Sequence, residues 1–392
     1  MTDSSPFVFI KGWKRIVMKK VDDRAKKILY LFLGIIVFIL FICVIAFVIG
    51  KAKNSSLTYS EIEEKMVAAA KEYYSQRATE LPLNESERNV EVSVSSLVSA
   101  GLMKEISSYQ KDGIVCDGKV KVTKSIDYYD YSPYLDCGDN YRTVYLYEKL
   151  LDGIVSENDG LYKTTQFSKD KGNVTRYIFR GEYPNNYVLF SNVLWRIVKI
   201  NEDNTITLIH SKVNSKDFDS IVWDNRYNIN TDAYDGINNF DESRVKRNLQ
   251  IYYNKVFTDR AKTKLARMDT CVGSRLNADN KNDGSIECSK LANESLVSLL
   301  PAYDFINSSL DKNCKTIIDK SCSNYNYLTK YSATWWTLTT NKNYPTTAYV
   351  ISSFGSRKDL NDDAYARMVV ALNENTIYLR GTGTANNPYV IK

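Results

Sequence analysis

NNYVLFSNVLWRIVKINEDNTITLIH, residues 185–210, is the stretch whose reading decides the fold. YVLF, VLWRIVKI and TITLIH are β-branched and apolar, and the four-residue NEDN between the last two is built of turn formers. Leu194, Arg196, Val198 and Ile200 alternate as strand positions do, so the segment predicts a β-hairpin preceded by a further strand. The strand series extends upstream to RYIFRGEYP, starting at Arg176. Downstream, Ser243 is placed to cap a helix carrying Val245, Leu249, Tyr252 and Tyr253, and Thr258 to cap another with Leu265 and Met268. The strand-like TTAYVISSF (346–354) and MVVALNENTIYLRG (368–381) follow, which makes 172–392 a mixed α+β distal domain.

Toward the N-terminus the signal changes character. Residues 28–50, ILYLFLGIIVFILFICVIAFVIG, hold no charge between Lys27 and Lys51. About 20 apolar residues at 1.5 Å each cross a hydrocarbon core of roughly 30 Å, so the run predicts a single transmembrane helix and a membrane partner. A cleaved signal peptide is the rival, but its apolar region is shorter and ends at small residues, which are missing here. Cys43 follows the bulky Phe41 and Ile42, so a lipid-facing thiol fits better than a lipoprotein site.

The formal net charge of +6 would suit a polyanion-binding protein if it were spread along the chain. Residues 1–27 instead hold eight Lys/Arg against three Asp, and beyond residue 51 the charge sums to about zero. A basic segment beside an apolar run sets orientation, so 1–27 is expected to be cytoplasmic, 51–392 extracellular, and no nucleic acid is implied.

Residues 51–145 form an expected membrane-proximal domain. Thr58 and Glu61 make a capping-box pattern ahead of a helix with Ile62, Met66, Ala69, Ala70 and Tyr73 on one face. Leu97 and Val98 mark a second, short helix ending at Gly101. KVKVTK (119–124) and YYDYSPYLDCG (128–138) then read as paired strands. The polar, glycine-containing 146–171 is read as a linker. Six of the seven cysteines lie beyond the apolar run, an even number that reads as disulfides in an exported segment. Neighbour pairing, Cys116 with Cys137, Cys271 with Cys288 and Cys314 with Cys322, closes short local loops. Zinc would need CxxC-type spacing and histidines, whereas there is no CxxC and one His.

The phrases NNYVLFSNVLWRIVKINEDNTITLI, SRVKRNL, SLLPAYDFI, ATWWTLT, RMVVAL and GTGTANNPYVI resemble a family of uncharacterised extracellular domains of low-GC Gram-positive-type bacteria. The resemblance covers 172–392 and implies a C-type-lectin-like or formylglycine-generating-enzyme-like fold. Over 28–145, an apolar run, an amphipathic helix, a small β-rich head and VSVSSLVSAGLMKEI resemble type IV pilins and pseudopilins. The prepilin cleavage motif and the glutamate inside the apolar run are absent, departures from the pilin pattern that bear on processing and polymerisation. The expected architecture is therefore a transmembrane helix, a pilin-like α+β stalk and a larger lectin-like domain.

Catalytic sets are scarce. Serine or cysteine nucleophiles need a histidine to move the proton, and the one candidate, His210, closes a predicted strand. Two placed carboxylates would suffice for glycoside hydrolysis. The loop LNADNKNDGSIEC (276–288) offers Asp279, Asp283 and Glu287 as oxygen ligands, so calcium is the one ion considered; in EF-hand register Lys281 and Lys290 fall on ligand positions. With 29 Tyr and 5 Trp, aromatic contacts are available. Trp195 and Trp335 are assigned to the core. Trp336, next along a strand and so on the other face, is the expected exposed ligand contact, together with Tyr349. The leading expectation is a non-catalytic cell-surface protein whose distal domain binds an extracellular glycan or protein. The alternatives are a pseudopilin-like structural component and a carboxylate-dependent cell-wall enzyme.

Overall fold

The structure is a computed structural model that describes residues 30–31, 33–41, 56–84, 89–110, 114–125, 128–212, 220–293, 295–330 and 333–392. Two compact units are distinguished, Met1–Leu57 and Thr58–Lys392. In the first, helical residues occur at 30–31 and 33–41. Among the described residues no helix is long and apolar enough to cross a membrane, which corrects the expected transmembrane helix. The basic segment 1–27, residues 28–29 and 42–50 of the apolar run, and Cys43 lie outside the described residues.

The second unit is mixed α and β, with more strand than helix in the fold. It opens with α1 (Tyr59–Ser75), held by the predicted capping box: the Thr58 N–H donates to Glu61 Oε2 at 2.7 Å, and the Glu61 N–H to Thr58 Oγ1 at 3.3 Å. Its buried face is Ile62, Met66, Ala69, Ala70 and Tyr74. Tyr74 takes the place expected for Tyr73 because it follows Ala70 by a full turn, while Tyr73 stacks under the Arg77 guanidinium, 4.0 Å from its ring. This face packs on a three-stranded antiparallel sheet of β1 (Val90–Ser93), β2 (Asp117–Ser125) and β3 (Tyr128–Asp136). The Cys116–Cys137 bridge closes the open end of the β2–β3 hairpin.

The stretch 146–171, read as a linker, is built into the core. It carries the helix Leu146–Leu151 and all of β4 (Gly160–Ser168), and Leu146, Leu150 and Leu161 join the main hydrophobic cluster. Earlier in the chain the short helix Val94–Ser99 docks Val94 and Leu97 on the small sheet. Residues from either side of the stretch meet: Lys264 Nζ pairs with Asp130 at 2.7 Å, and Ser132 Oγ donates to the Asn375 carbonyl at 3.2 Å.

The larger sheet runs β10 (Leu265–Ala266), β15 (Val369–Leu372), β8 (Ile206–His210), β7 (Val193–Ile200), β6 (Tyr187–Phe190), β17 (Tyr389–Ile391), β16 (Tyr378–Arg380), with β5 (Gly172–Arg180) joining β7 to β4. The predicted hairpin is β7–β8, in register from Trp195 opposite His210 to Ile200 opposite Ile206. A second sheet orders β13 (Gly355–Asp359), β12 (Thr347–Ile351), β11 (Trp335–Thr340), β14 (Asp363–Tyr365) and β9 (Ser220–Val222). One hydrophobic cluster contains residues of both sheets and of the helix Arg244–Val256, which Ser243 caps as expected.

Candidate functional site

The β7–β8 hairpin contains the feature that builds the site. Its register shifts between Ile197 and Lys199, a bulge that breaks strand alternation and re-aims a side chain. Every residue from Trp195 to Ile200 is buried, so Lys199 lies in the interior between apolar Val198 and Ile200. Its ammonium donates to Asp304 Oδ2 at 2.7 Å and to the Tyr303 hydroxyl at 3.1 Å. Both partners belong to the short helix Ala302–Asn307, whose first amide donates to Thr339 Oγ1 of the second sheet at 2.9 Å.

Around this group lies a cavity of about 420 Å³. Its walls come from the β4–β5 turn (Ser168, Lys171), from Arg176, from the β7–β8 turn (Glu202, Thr205, Thr207), from 267–271 and from the Cys271–Cys288 bridge. Arg176 Nε pairs with Glu202 Oε2 at 2.8 Å, and Lys171 Nζ approaches the other carboxylate oxygen at 3.5 Å. Five cations and five carboxylates line the space, so it offers donors and acceptors without a net field. That balance disfavours a polyanion and suits a neutral, hydrogen-bonding guest.

Protonation follows from the packing. Burial opposes the Lys199 ammonium, but the Asp304 charge beside it wins and holds its pKa above the ordinary lysine value. The amine is therefore kept protonated, which removes it as a nucleophile or Schiff-base former. Burial, then the Asp304 charge, push the Tyr303 phenol up, so it stays neutral. Burial works against the Glu202 carboxylate as well, yet the Arg176 hydrogen bond and charge lower its pKa. Asp269, at the solvent-facing rim, is raised by partial burial and then by the Glu202 charge. Asp304 Oδ1 is buried and has no hydrogen-bond partner. A buried acceptor left open costs about 1–3 kcal/mol, and a donor on a guest would recover it.

The residues expected to make ligand contacts lie elsewhere. Trp336 is fully buried and its Nε1 donates to the Ile221 carbonyl at 2.8 Å. Tyr349 is equally buried, its hydroxyl donating to the Arg275 carbonyl at 3.1 Å and meeting Asn277 Oδ1 at 2.8 Å. Neither is an exposed contact, because β11 and β12 are covered on both faces and every residue of the two strands is buried. Opposite faces of such a strand are both interior.

The calcium loop is organised by a guanidinium. Arg275, fully buried, donates to Glu287 Oε1 at 2.9 Å and Oε2 at 3.1 Å, and to the Asp279 and Lys281 carbonyls at 3.0 Å each. Asp279 and Asp283 accept from Leu276 and Ser285 amides at 2.7 and 2.9 Å. The three proposed ligands are thus turned to local partners, and among the described residues no three of His, Cys, Asp and Glu converge. All six cysteines outside the apolar run pair as expected, 116–137, 271–288 and 314–322. His210 is buried against Trp195, with Nδ1 2.9 Å from the Lys212 carbonyl.

Sequence reasoning missed Lys199, Tyr303 and Asp304. The available signal was charge inside two apolar runs, Arg196 and Lys199 in VLWRIVKI and Asp304 in SLLPAYDFI. No family model, curated protein or solved structure matches the chain.

Proposed function

We propose that this is an exported, non-catalytic binding protein whose larger sheet holds an extracellular ligand, a glycan in preference to a protein, in the cavity around Lys199, Tyr303 and Asp304. The observation that carries the reading is the buried, unpartnered Asp304 Oδ1 in a charge-balanced, hydroxyl-lined space. Such a space matches a guest rich in hydroxyl groups and too narrow a recess for a protein surface to fill. Three disulfides support placement outside the reducing cytoplasm. Purified full-length chain is tested on an array of glycans and cell-wall fragments. Asp304→Asn, which keeps the shape but changes the acceptor set, should weaken a bound member at least tenfold; an array with no bound member refutes the reading.

A carboxylate-dependent enzyme is the second reading. It rests on Glu202 and Asp269, whose pKa values the same pocket pushes in opposite directions, the pattern that separates a charged group from a protonated acid. Turnover of an array member, abolished by Asp269→Asn, would favour it over simple binding.

A further inference from the structure

Away from the polar cavity, two large aromatic side chains stand in solvent beside one another's loops. Tyr183 is 71% exposed and Tyr325 58%. Together with Asn158, Asp159, Glu182 and Leu310 they line a groove of about 590 Å³, and none of the six lines the polar cavity. The backbone under both rings is fixed. The Asp159 carboxylate accepts the Glu182 and Tyr183 amides at 3.0 and 2.8 Å. That clamp requires Gly181, at φ +109°, where a Cβ would lie 2.0 Å from the Asp159 carboxylate. Gly181 in turn accepts the Tyr327 amide at 2.7 Å, and the Tyr325 carbonyl accepts the Leu310 amide at 3.2 Å. The two tyrosine loops are therefore tied to each other through the main chain.

We propose that this groove is a second, independent binding site that takes a pyranose ring of an oligosaccharide by stacking. Exposed tyrosines on a rigid backbone present apolar faces at little entropic cost, since each ring has only two torsions to fix. At the edge of the platform Lys330 pairs with Glu182 and lies 4.7 Å from the centre of the Tyr183 ring. The pair cancels its own charge and sets a donor beside an acceptor, which is the complement of two adjacent hydroxyl groups. Asn158 adds an amide of the same kind. A pyranose has one apolar face and an equatorial rim of hydroxyls, so it fits both parts. A peptide partner would find no exposed aliphatic anchor here, as Leu310 is half-buried. A quaternary ammonium would have to displace Lys330 from Tyr183.

Full-length protein is titrated with the trisaccharides of N-acetylglucosamine, β-1,4-glucose and α-1,4-glucose, read by saturation-transfer difference NMR and calorimetry, with tetramethylammonium as a parallel probe. At least one trisaccharide should bind, with its ring C–H protons receiving the saturation. Tyr183→Ser and Tyr325→Asn should each weaken it tenfold or more. Asparagine is chosen because Tyr325 has φ +46°, a left-handed conformation that asparagine tolerates. Leu379→Ser, an exposed apolar residue that does not line the groove, should leave this affinity unchanged, and thermal melting confirms that the tyrosine variants are folded. The proposal is overturned if no trisaccharide binds, if the tyrosine variants bind as well as the parent, if Leu379→Ser weakens binding as much as they do, or if tetramethylammonium alone binds.

Discussion

Replacing Lys199 by Met leaves side-chain volume nearly unchanged and should still be strongly destabilising. The ammonium and Asp304 are 2.7 Å apart, with side chains 8% and 1% exposed. Methionine keeps the apolar stem in place but strands the Asp304 carboxylate without its counter-charge and removes the donor to Tyr303. Breaking a buried pair from one side costs about 3–5 kcal/mol. For a unit larger than 250 residues each kcal/mol lowers Tm by roughly 2 °C, so a fall of about 6–10 °C is expected. The double variant Lys199→Met with Asp304→Leu removes both charges and should recover at least about 2 kcal/mol of the loss, because the apolar replacement no longer buries an unpaired ion. Urea unfolding of the parent, both single variants and the double variant completes the cycle. A single-variant loss under about 1 kcal/mol, with no recovery in the double, would refute the claim that this pair is desolvated and coupled.

Three further outcomes follow from the same structure. Glu202 has its pKa lowered from the ordinary 4.5 through Arg176, against the opposing effect of burial, so its stabilising contribution is full above about pH 4.5 and is lost as pH falls through the depressed value; Glu202→Gln should flatten that acid limb in urea midpoints measured from pH 6 to 3. Gly273→Ala would bring a Cβ within 2.4 Å of the Ile286 carbonyl and 2.7 Å of the Glu287 carbonyl, and should cost several-fold more stability than Gly153→Ala, where the nearest atom is at 3.5 Å; comparable Tm values for the two would contradict the packing. Replacing Cys271 and Cys288 together by serine opens a wall of the polar cavity and should remove about 3 kcal/mol, along with array binding, in calorimetric and binding measurements made on the same sample.

Much of the fold was legible because local rules decided it. The capping box at Thr58, the β7–β8 hairpin and the three short disulfide loops each involve residues near in sequence, where periodicity, turn composition and spacing speak directly. What stayed hidden depends on partners far along the chain. Trp336 was assigned to an open face on strand alternation alone, and only the packing of β9 beside β14 and of the helix Ala302–Asn307 beside β11 shows that neither face is open. Lys199 was invisible as a site residue because both faces of its strand are buried, so alternation cannot single it out, and its partners come about 100 residues later. Asp279, Asp283 and Glu287 do lie in one loop as the sequence suggested, but the cation at its centre is the side chain of Arg275, already present in the chain. The tyrosine groove likewise joins residues 158–159, 181–183 and 310–325, which no single-segment pattern links.

The strand order has a consequence for how the chain acquires its structure. β8 receives its outer neighbour only from residues 369–372, and β6 obtains a parallel partner only from 389–390. Synthesis at about 5–20 residues per second therefore leaves the β7–β8 hairpin waiting on the order of 10–30 s before the strands that complete its sheet exist. During that interval two apolar edges are unprotected, and closure of so long a loop makes folding slow relative to a sheet of successive hairpins. The nascent chain in this sense cannot complete its larger sheet until residues 369–391 have been made.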